Sequence, residues 1–467
     1  MDFENESAET EPRQENQKSR VLTLWLVLLF SVGMIMYYQA QPLESPPETQ
    51  QEVLPEVAFQ MTFLGKYTLG VGSFIQVGGK EAIDKGSTEE EQVFDLLMMN
   101  IKKMATHPVD ELRASALVAE MMGPERAQTY LNELAENPNF PANAVGDLEI
   151  FRTLYSDGPD SLTENQREDL TARHGWFGEL ALCFGKPDED PFRKEVLSAA
   201  KSTFLGLFLA GIGAFGVAGL GFLLMLIAVI RGFTGNPPKL RYRAPNTPAG
   251  VHLAFLETMV LFLAGFLALS LLPQLFGFSL GPFTLPVLAV FALWPRARGL
   301  SWQAIQDGLG WHRGEGILKE MVLGLVGYIT CIPLLLIGFL LTVLLSSLGD
   351  QQPVHPIVYE FKGAGVSKLL ILFGLACIVA PILEETLFRG VFYHYLRRRF
   401  TMVAAAAISG LIFAAIHPQG VLAIPALGMI GFVFAVLREW RGSIIAPMTA
   451  HFANNFTVLS FAVFLFR

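Results

Sequence analysis

Two adjacent carboxylates and an arginine stand at the end of an apolar run. The stretch PILEETLFRG, residues 381–390, holds Glu384, Glu385 and Arg389, and the run before it, VSKLLILFGLACIVA, is almost wholly apolar. An unpaired charge at mid-depth in a bilayer costs on the order of 3 kcal/mol or more, so such residues are usually functional. On a helix, Glu385 and Arg389 are four apart and share a face, with the acid N-terminal, the better order for an ion pair. Glu384 then lies about 100° round the helix. The pattern reads as one acid with its counter-ion and one acid left for work, desolvated as a general base needs to be.

Partners follow downstream. LIFAAIHPQG carries His417, with Phe413 one turn before it; MTAHFANNF carries His451, with Asn454 and Asn455 one turn on. The chain has only 8 histidines, and these two lie in apolar runs near its carboxy end. One carboxylate and one imidazole can deprotonate a water. A second imidazole and an amide can donate to the oxyanion formed when that water attacks a carbonyl. This is peptide hydrolysis without a covalent intermediate and without a required cofactor. Zinc is the rival: Glu384, His417 and His451 could ligate Zn2+ and leave one position for water. The letters alone leave both open.

These side chains need elements to carry them. The chain has 467 residues, 52% hydrophobic and 16% charged, with mean hydropathy +0.41. Soluble domains average about 25% charged, and the apolar residues here are clustered, so the composition is that of a multipass membrane protein. A net charge of −9 argues against nucleic acid as a partner. Cys183, Cys331 and Cys377 fit no CxxC pair or disulfide framework.

Residues 1–19 read as a disordered cytoplasmic tail and 20–40 as an uncleaved membrane anchor. Residues 41–200 begin with the linker QPLESPPETQQEVLPE and continue as charged, helix-patterned segments, a small soluble helical domain with a cap at Asp160–Thr163. Further apolar runs lie near 203–230, 251–272, 278–295, 319–347, 366–388, 401–417, 420–437 and 443–466. The expected fold is an all-α polytopic transmembrane bundle of about eight or nine spans, with an inserted extracytoplasmic helical domain. Basic residues cluster at 231–243, 296–298, 397–399 and 438–441. By the positive-inside tendency these face the cytoplasm, as does the amino terminus, which puts 41–200 outside a bacterial-type cell membrane.

Counting supports a shared site. Arg399–Phe400–Thr401 is the expected turn between two antiparallel helices. Glu384 lies 16 residues before Phe400 and His417 lies 17 after it, so both fall ~24–26 Å from the turn. His451, about ten residues past the basic stretch at 438–441, agrees less well in depth.

Each motif also has a bland reading. An EExxxR string is commonly a salt-bridged helix face, Phe413 is core by default, and Asn454 and Asn455 could be interhelical glue. Glu257 and His252, in the run 251–272, read first as interhelical bonding and second as part of a substrate path. His394 reads as interfacial, His355 as solvated in an outer loop, and His107 and His174 as surface or packing residues. There is no HExxH, no GxGD or GxSG within a span, and no GxxxxGKS/T.

Taken together, EETLFR, FAAIH and HFANN resemble the EExxxR, FxxxH and HxxxN motifs of the CPBP intramembrane proteases, the family of the Rce1-type CAAX prenyl endopeptidases. The resemblance covers about residues 366–467, with a looser likeness at GLSWQAIQDGLGW upstream. It implies that Glu384 with His417 activates water, that His451 and Asn455 form the oxyanion site, that Glu385 and Arg389 support it, and that Phe413 packs beneath. The substrate expected is a membrane-associated protein or peptide. Two other classes compete: a non-proteolytic scaffold or immunity-type factor keeping the fold, and a secondary transporter relaying protons through Glu384 and Glu257.

Overall fold

The computed structural model describes residues 5–39, 55–78, 99, 108–138, 140–243, 249–277, 284–348, 361 and 364–466. All regular elements among the described residues are helical. His107, His355, the linker at 41–54 and the charged segment around 87–105 lie outside the described residues, Met99 apart.

Two compact units are present, one of Glu44–Phe215, the other of Met1–Leu43 with Gly216–Arg467. In the first, the helices Pro108–Met122, Pro124–Ala135, Val145–Asp157, Glu164–His174 and Trp176–Leu182 close on a core that includes Leu117, Leu131, Phe151 and Phe177. The cap before Glu164–His174 is Thr163, whose hydroxyl accepts from Gln166 N while the Gln166 side chain accepts from Thr163 N. His174 is buried against Phe151 and bonds Asp147, a packing role. The helix Pro55–Gly78 starts in the last two residues of the linker stretch. Its glycines, threonines, Gln60 and Lys66 dilute the apolar pattern, yet Met61 is buried in the same core.

Among the described residues, five helices are long and apolar enough to cross a membrane: Gln17–Gln39, Pro191–Phe233, His252–Ser270, Val366–Leu396 and Val421–Arg441. The pair Ile317–Thr330 and Ile332–Ser346, bent by 50°, makes six if it forms one span. This is fewer than the eight or nine expected. The described part of 278–295 is broken into Thr284–Leu288, a 3-10 turn Ala289–Leu293 and Trp294–Ala297, each too short to cross. Pro286 and Pro295 interrupt it, since proline cannot donate in a helix interior. Met402–Ala415 is apolar but has only 14 residues.

Some basic residues read as topology markers also make specific pairs. Arg397 grips Glu439 through Nε and Nη2 at 3.0 and 2.8 Å, and Arg441 bonds Glu320 and Glu315. Arg241 reaches Glu315 at 2.9 Å. Glu257 is held by Arg20 at 2.6 Å, Arg298 at 3.0 Å and the Trp294 indole at 2.9 Å. It therefore ties helix ends together, the first of its two readings. His394 is buried against Phe255 and Tyr242 rather than interfacial, its Nδ1 3.0 Å from the Tyr242 hydroxyl. The small turn-side glycine Gly308 lets Phe255 and His394 close over it.

Candidate active site

The acid-bearing helix Val366–Leu396 is not uniformly α-helical. Leu375–Val379 and Thr386–Phe392 are π-helical turns that flank the short α segment Ala380–Glu385. Such wide turns recur at functional sites because they re-aim side chains without ending a helix. Past Leu396 the chain turns through 397–401, and Thr401 caps the next helix, Met402–Ala415, by accepting from Ala404 N. That turn makes the two helices antiparallel neighbours, and Phe413 and His417 come back to the depth of Glu384.

The helices Met402–Ala415 and Val421–Arg441 touch backbone to backbone. A Cβ at Gly431 would lie 2.7 Å from the Gly410 Cα, so only glycine fits. The Gly431 carbonyl accepts from Arg389 Nη2 at 2.9 Å, while Arg389 Nη1 donates to Glu385 Oε1 at 2.8 Å. Both side chains are wholly buried. The guanidinium lies 4.7 Å from the Phe413 ring centre and 5.2 Å from that of Phe434, so the rings flank the cation.

Glu385 does a second job. The same Oε1 lies 2.9 Å from His451 Nδ1. A carboxylate can only accept, so Nδ1 carries the proton and Nε2 faces away from Glu385. His417 is set in the same sense, its Nδ1 2.6 Å from the Phe413 carbonyl. Both Nε2 atoms converge on Glu384: His417 Nε2 and His451 Nε2 each lie 3.8 Å from Oε2. That oxygen is buried and has no hydrogen-bond partner. Phe434 stacks on His451 at 4.9 Å with 30° between planes, and Phe413 meets His417 at 4.2 Å.

Glu384, His417 and His451 thus come together, with Glu385, Arg389 and Phe413 packed directly behind them. His451 reaches the site despite its poorer depth match. Asn455, one turn on from His451, donates through Nδ2 to the Ala376 carbonyl at 2.8 Å. Phe434, Gly431 and Trp311, whose indole donates to Thr386 Oγ1 at 3.2 Å, also contribute. The three motifs do not include them: Gly431 and Phe434 share the helix Ile424–Arg441, and Trp311 ends the GLSWQAIQDGLGW stretch. Ligands around a tetrahedral zinc at ~2.0–2.1 Å sit about 3.4 Å from one another. Here Glu384 Oε2 is wider than that from both nitrogens, and among the described residues no group of three His, Cys, Asp or Glu side chains is placed to hold a metal. As placed, Glu384, His417 and His451 do not fit a zinc cage.

Comparison with known proteins bears on the same region. Residues 366–457 match the family model "Type II CAAX prenyl endopeptidase Rce1-like". An Escherichia coli relative described as an uncharacterized 24.3 kDa protein is 31% identical over 104 residues, 21% of this chain and 48% of the relative. The chain therefore spans about half the length of that relative. No solved structure matches the chain. The stretch that matches this Rce1-like, CPBP-family model includes Glu384, His417, His451 and Asn455.

Proposed function

We propose that this chain is an intramembrane endopeptidase that hydrolyses a peptide bond of a membrane-associated protein or peptide. One observation carries the reading: the unpartnered Glu384 Oε2 with two imidazole Nε2 atoms at 3.8 Å. A water bonded to that oxygen lies within reach of His417 Nε2. Glu384 takes a proton from the water, and the hydroxide oxygen attacks the scissile carbonyl carbon. The tetrahedral oxyanion needs donors. His451 donates through Nε2 when it is an imidazolium, and Glu385 at Nδ1 compensates that charge. The Asn455 amide supplies the second donor. The proton held by Glu384 then passes to the leaving amine as the C–N bond breaks. Arg389 keeps the Glu385 carboxylate in place behind His451, and Phe413 and Phe434 keep water from that pair.

The basic residues that meet at Glu439, Glu315 and Glu320 support a common, cytoplasmic end for their helices, and with it a cell-membrane location with residues 41–200 outside. The test uses the full chain in liposomes with an internally quenched peptide bearing a farnesylcysteine near its carboxy end. It is paired with quantitative proteomics of membranes carrying wild type or Glu384→Gln. Wild type cleaves the peptide or clears a membrane protein, and Glu384→Gln lowers that rate by about 10²–10⁴-fold. Equal rates, or matching proteomes, would instead favour the scaffold reading.

A further inference from the structure

Asn455 is the end of a hydrogen-bonded chain that begins on another helix. The Tyr328 hydroxyl, on Ile317–Thr330, donates to Asn454 Oδ1 at 3.0 Å. Asn454 Nδ2 donates to Asn455 Oδ1 at 3.1 Å. Asn455 Nδ2 donates to the Ala376 carbonyl at 2.8 Å. Ala376 lies in the first π turn, where Ala380 N–H bonds the carbonyl of Leu375, five residues back. A π turn displaces the backbone pairing and frees a carbonyl to accept from a side chain.

A lone amide could sit either way round, since its oxygen and nitrogen are similar in size. Here only one direction works. The Ala376 carbonyl can only accept, so Asn455 must turn its NH2 towards it. The Asn455 oxygen then faces Asn454, which must offer its own NH2. The Asn454 oxygen is left facing Tyr328, whose hydroxyl can donate. Reversal would set two oxygens face to face at Ala376.

We infer that Tyr328 and Asn454 are positioning residues that lock the Asn455 amide nitrogen, and with it the second N–H, in the orientation the oxyanion requires. The inference rests on the oxyanion role given to Asn455 above. Asn454→Asp replaces a donor by an acceptor of the same shape, so it turns the Asn455 amide round. Asn454→Ala merely removes one link and leaves the Ala376 bond. Packing alone, with no fixed direction of hydrogen bonds, predicts the reverse order, because the isosteric side chain keeps the packing.

The experiment compares wild type, Asn454→Ala, Asn454→Asp, Tyr328→Phe and Glu384→Gln, each full length. It reads melting in detergent and cleavage of the quenched farnesylcysteine peptide, at about pH 7.5 and about pH 5. At the higher pH Asn454→Asp melts below Asn454→Ala. It loses about 10²-fold in kcat with KM unchanged, the loss expected for one oxyanion donor, against about 5-fold for Asn454→Ala and for Tyr328→Phe. At the lower pH the introduced carboxyl group, once protonated, can donate, and the rate of Asn454→Asp relative to wild type recovers. If Asn454→Asp melts and cleaves as well as Asn454→Ala at the higher pH, the chain has no fixed direction and the inference fails. If melting follows the expected order but the two rates agree within about threefold, the chain is structural only. A Glu384→Gln variant as active as wild type would remove the catalytic reading and this inference with it, while the melting order would still report on the chain itself.

Discussion

Replacing Arg389 by leucine isolates the buried ion pair behind the site. The substitution removes the 2.8 Å bond to Glu385, the 2.9 Å bond to the Gly431 carbonyl and the stacking on Phe413 and Phe434. It leaves a carboxylate with no exposed surface facing His451 alone. An orphaned buried charge costs about 3–5 kcal/mol, more than the pair itself contributes over an apolar substitute. Glu385→Gln orphans the arginine instead and costs about 3 kcal/mol by the same argument. Independent effects would sum to about 6–8 kcal/mol in the double variant. The double variant buries no charge, so it is expected to cost only about 3–4 kcal/mol, a coupling of about 2 kcal/mol or more. Equilibrium unfolding of the full chain in mixed micelles measures all four corners of the cycle. A double variant equal to the sum within about 0.5 kcal/mol, or Arg389→Leu within about 1 kcal/mol of wild type, would refute the reasoning.

Three further outcomes follow from the geometry. Gly431→Ala must push the Gly410 backbone away and is expected to cost about 1–3 kcal/mol with loss of cleavage. Gly428→Ala on the same helix meets nothing closer than 3.8 Å and should melt as wild type; equal melting points for the two would deny the close crossing. Phe434→Leu removes the ring stacked on His451 and should lower kcat about 5–10-fold with little change in KM, and an unchanged kcat would free Phe434 from that role. In the unit Glu44–Phe215, burial holds the His174 imidazole below its usual value despite Asp147. Asp147 itself, though burial pushes it up, is brought below the usual carboxylate range by His174 and Arg173. Both groups bind protons less readily folded than unfolded, so their stabilisation is present at high pH. It is lost first as pH falls below about 6.5, then again below about 4. Amide protection over Val145–His174 in the full chain, taken against the intrinsic exchange rate at each pH, should fall in those two windows; protection that rises on acidification would contradict the sign.

Parts of this arrangement were legible because they follow from helical arithmetic. Glu384 and His417 are nearly equidistant from Phe400, and one capped turn at Thr401 is enough to align them. Glu385 and Arg389 pair because four residues make a turn. The depth of His451 was less legible, since it is set by the turn after Arg441 and by how Ile445–Phe466 packs; nor does anything in LACIV or TLFRGVF distinguish a π turn from an α turn by propensity. Phe434, Tyr328 and Gly431 belong to helices whose apolar letters show no motif; their part comes from crossing geometry. Apolar composition reads 278–295 as one crossing, whereas its described part is a succession of short helical pieces that include Pro286 and Pro295. Arg241, Arg397 and Arg441 carry two messages at once, topology and ion pairing, and a charge tally reads only the first.

The two π turns have a consequence for how this chain can change by descent. Each holds one more residue than the α turn it replaces, so each is a single-residue insertion that the helix has absorbed. Deleting one residue from Leu375–Val379 or from Thr386–Phe392 can relax that turn to α and rotate everything beyond it by about 100°. The phase of Glu384 is therefore adjustable against Asn455 on one side, and against Arg389 on the other, by single-codon gains and losses. Among related chains, one-residue length differences confined to these two stretches would mark changes in where the acid points, while point substitutions elsewhere in the helix leave its aim alone.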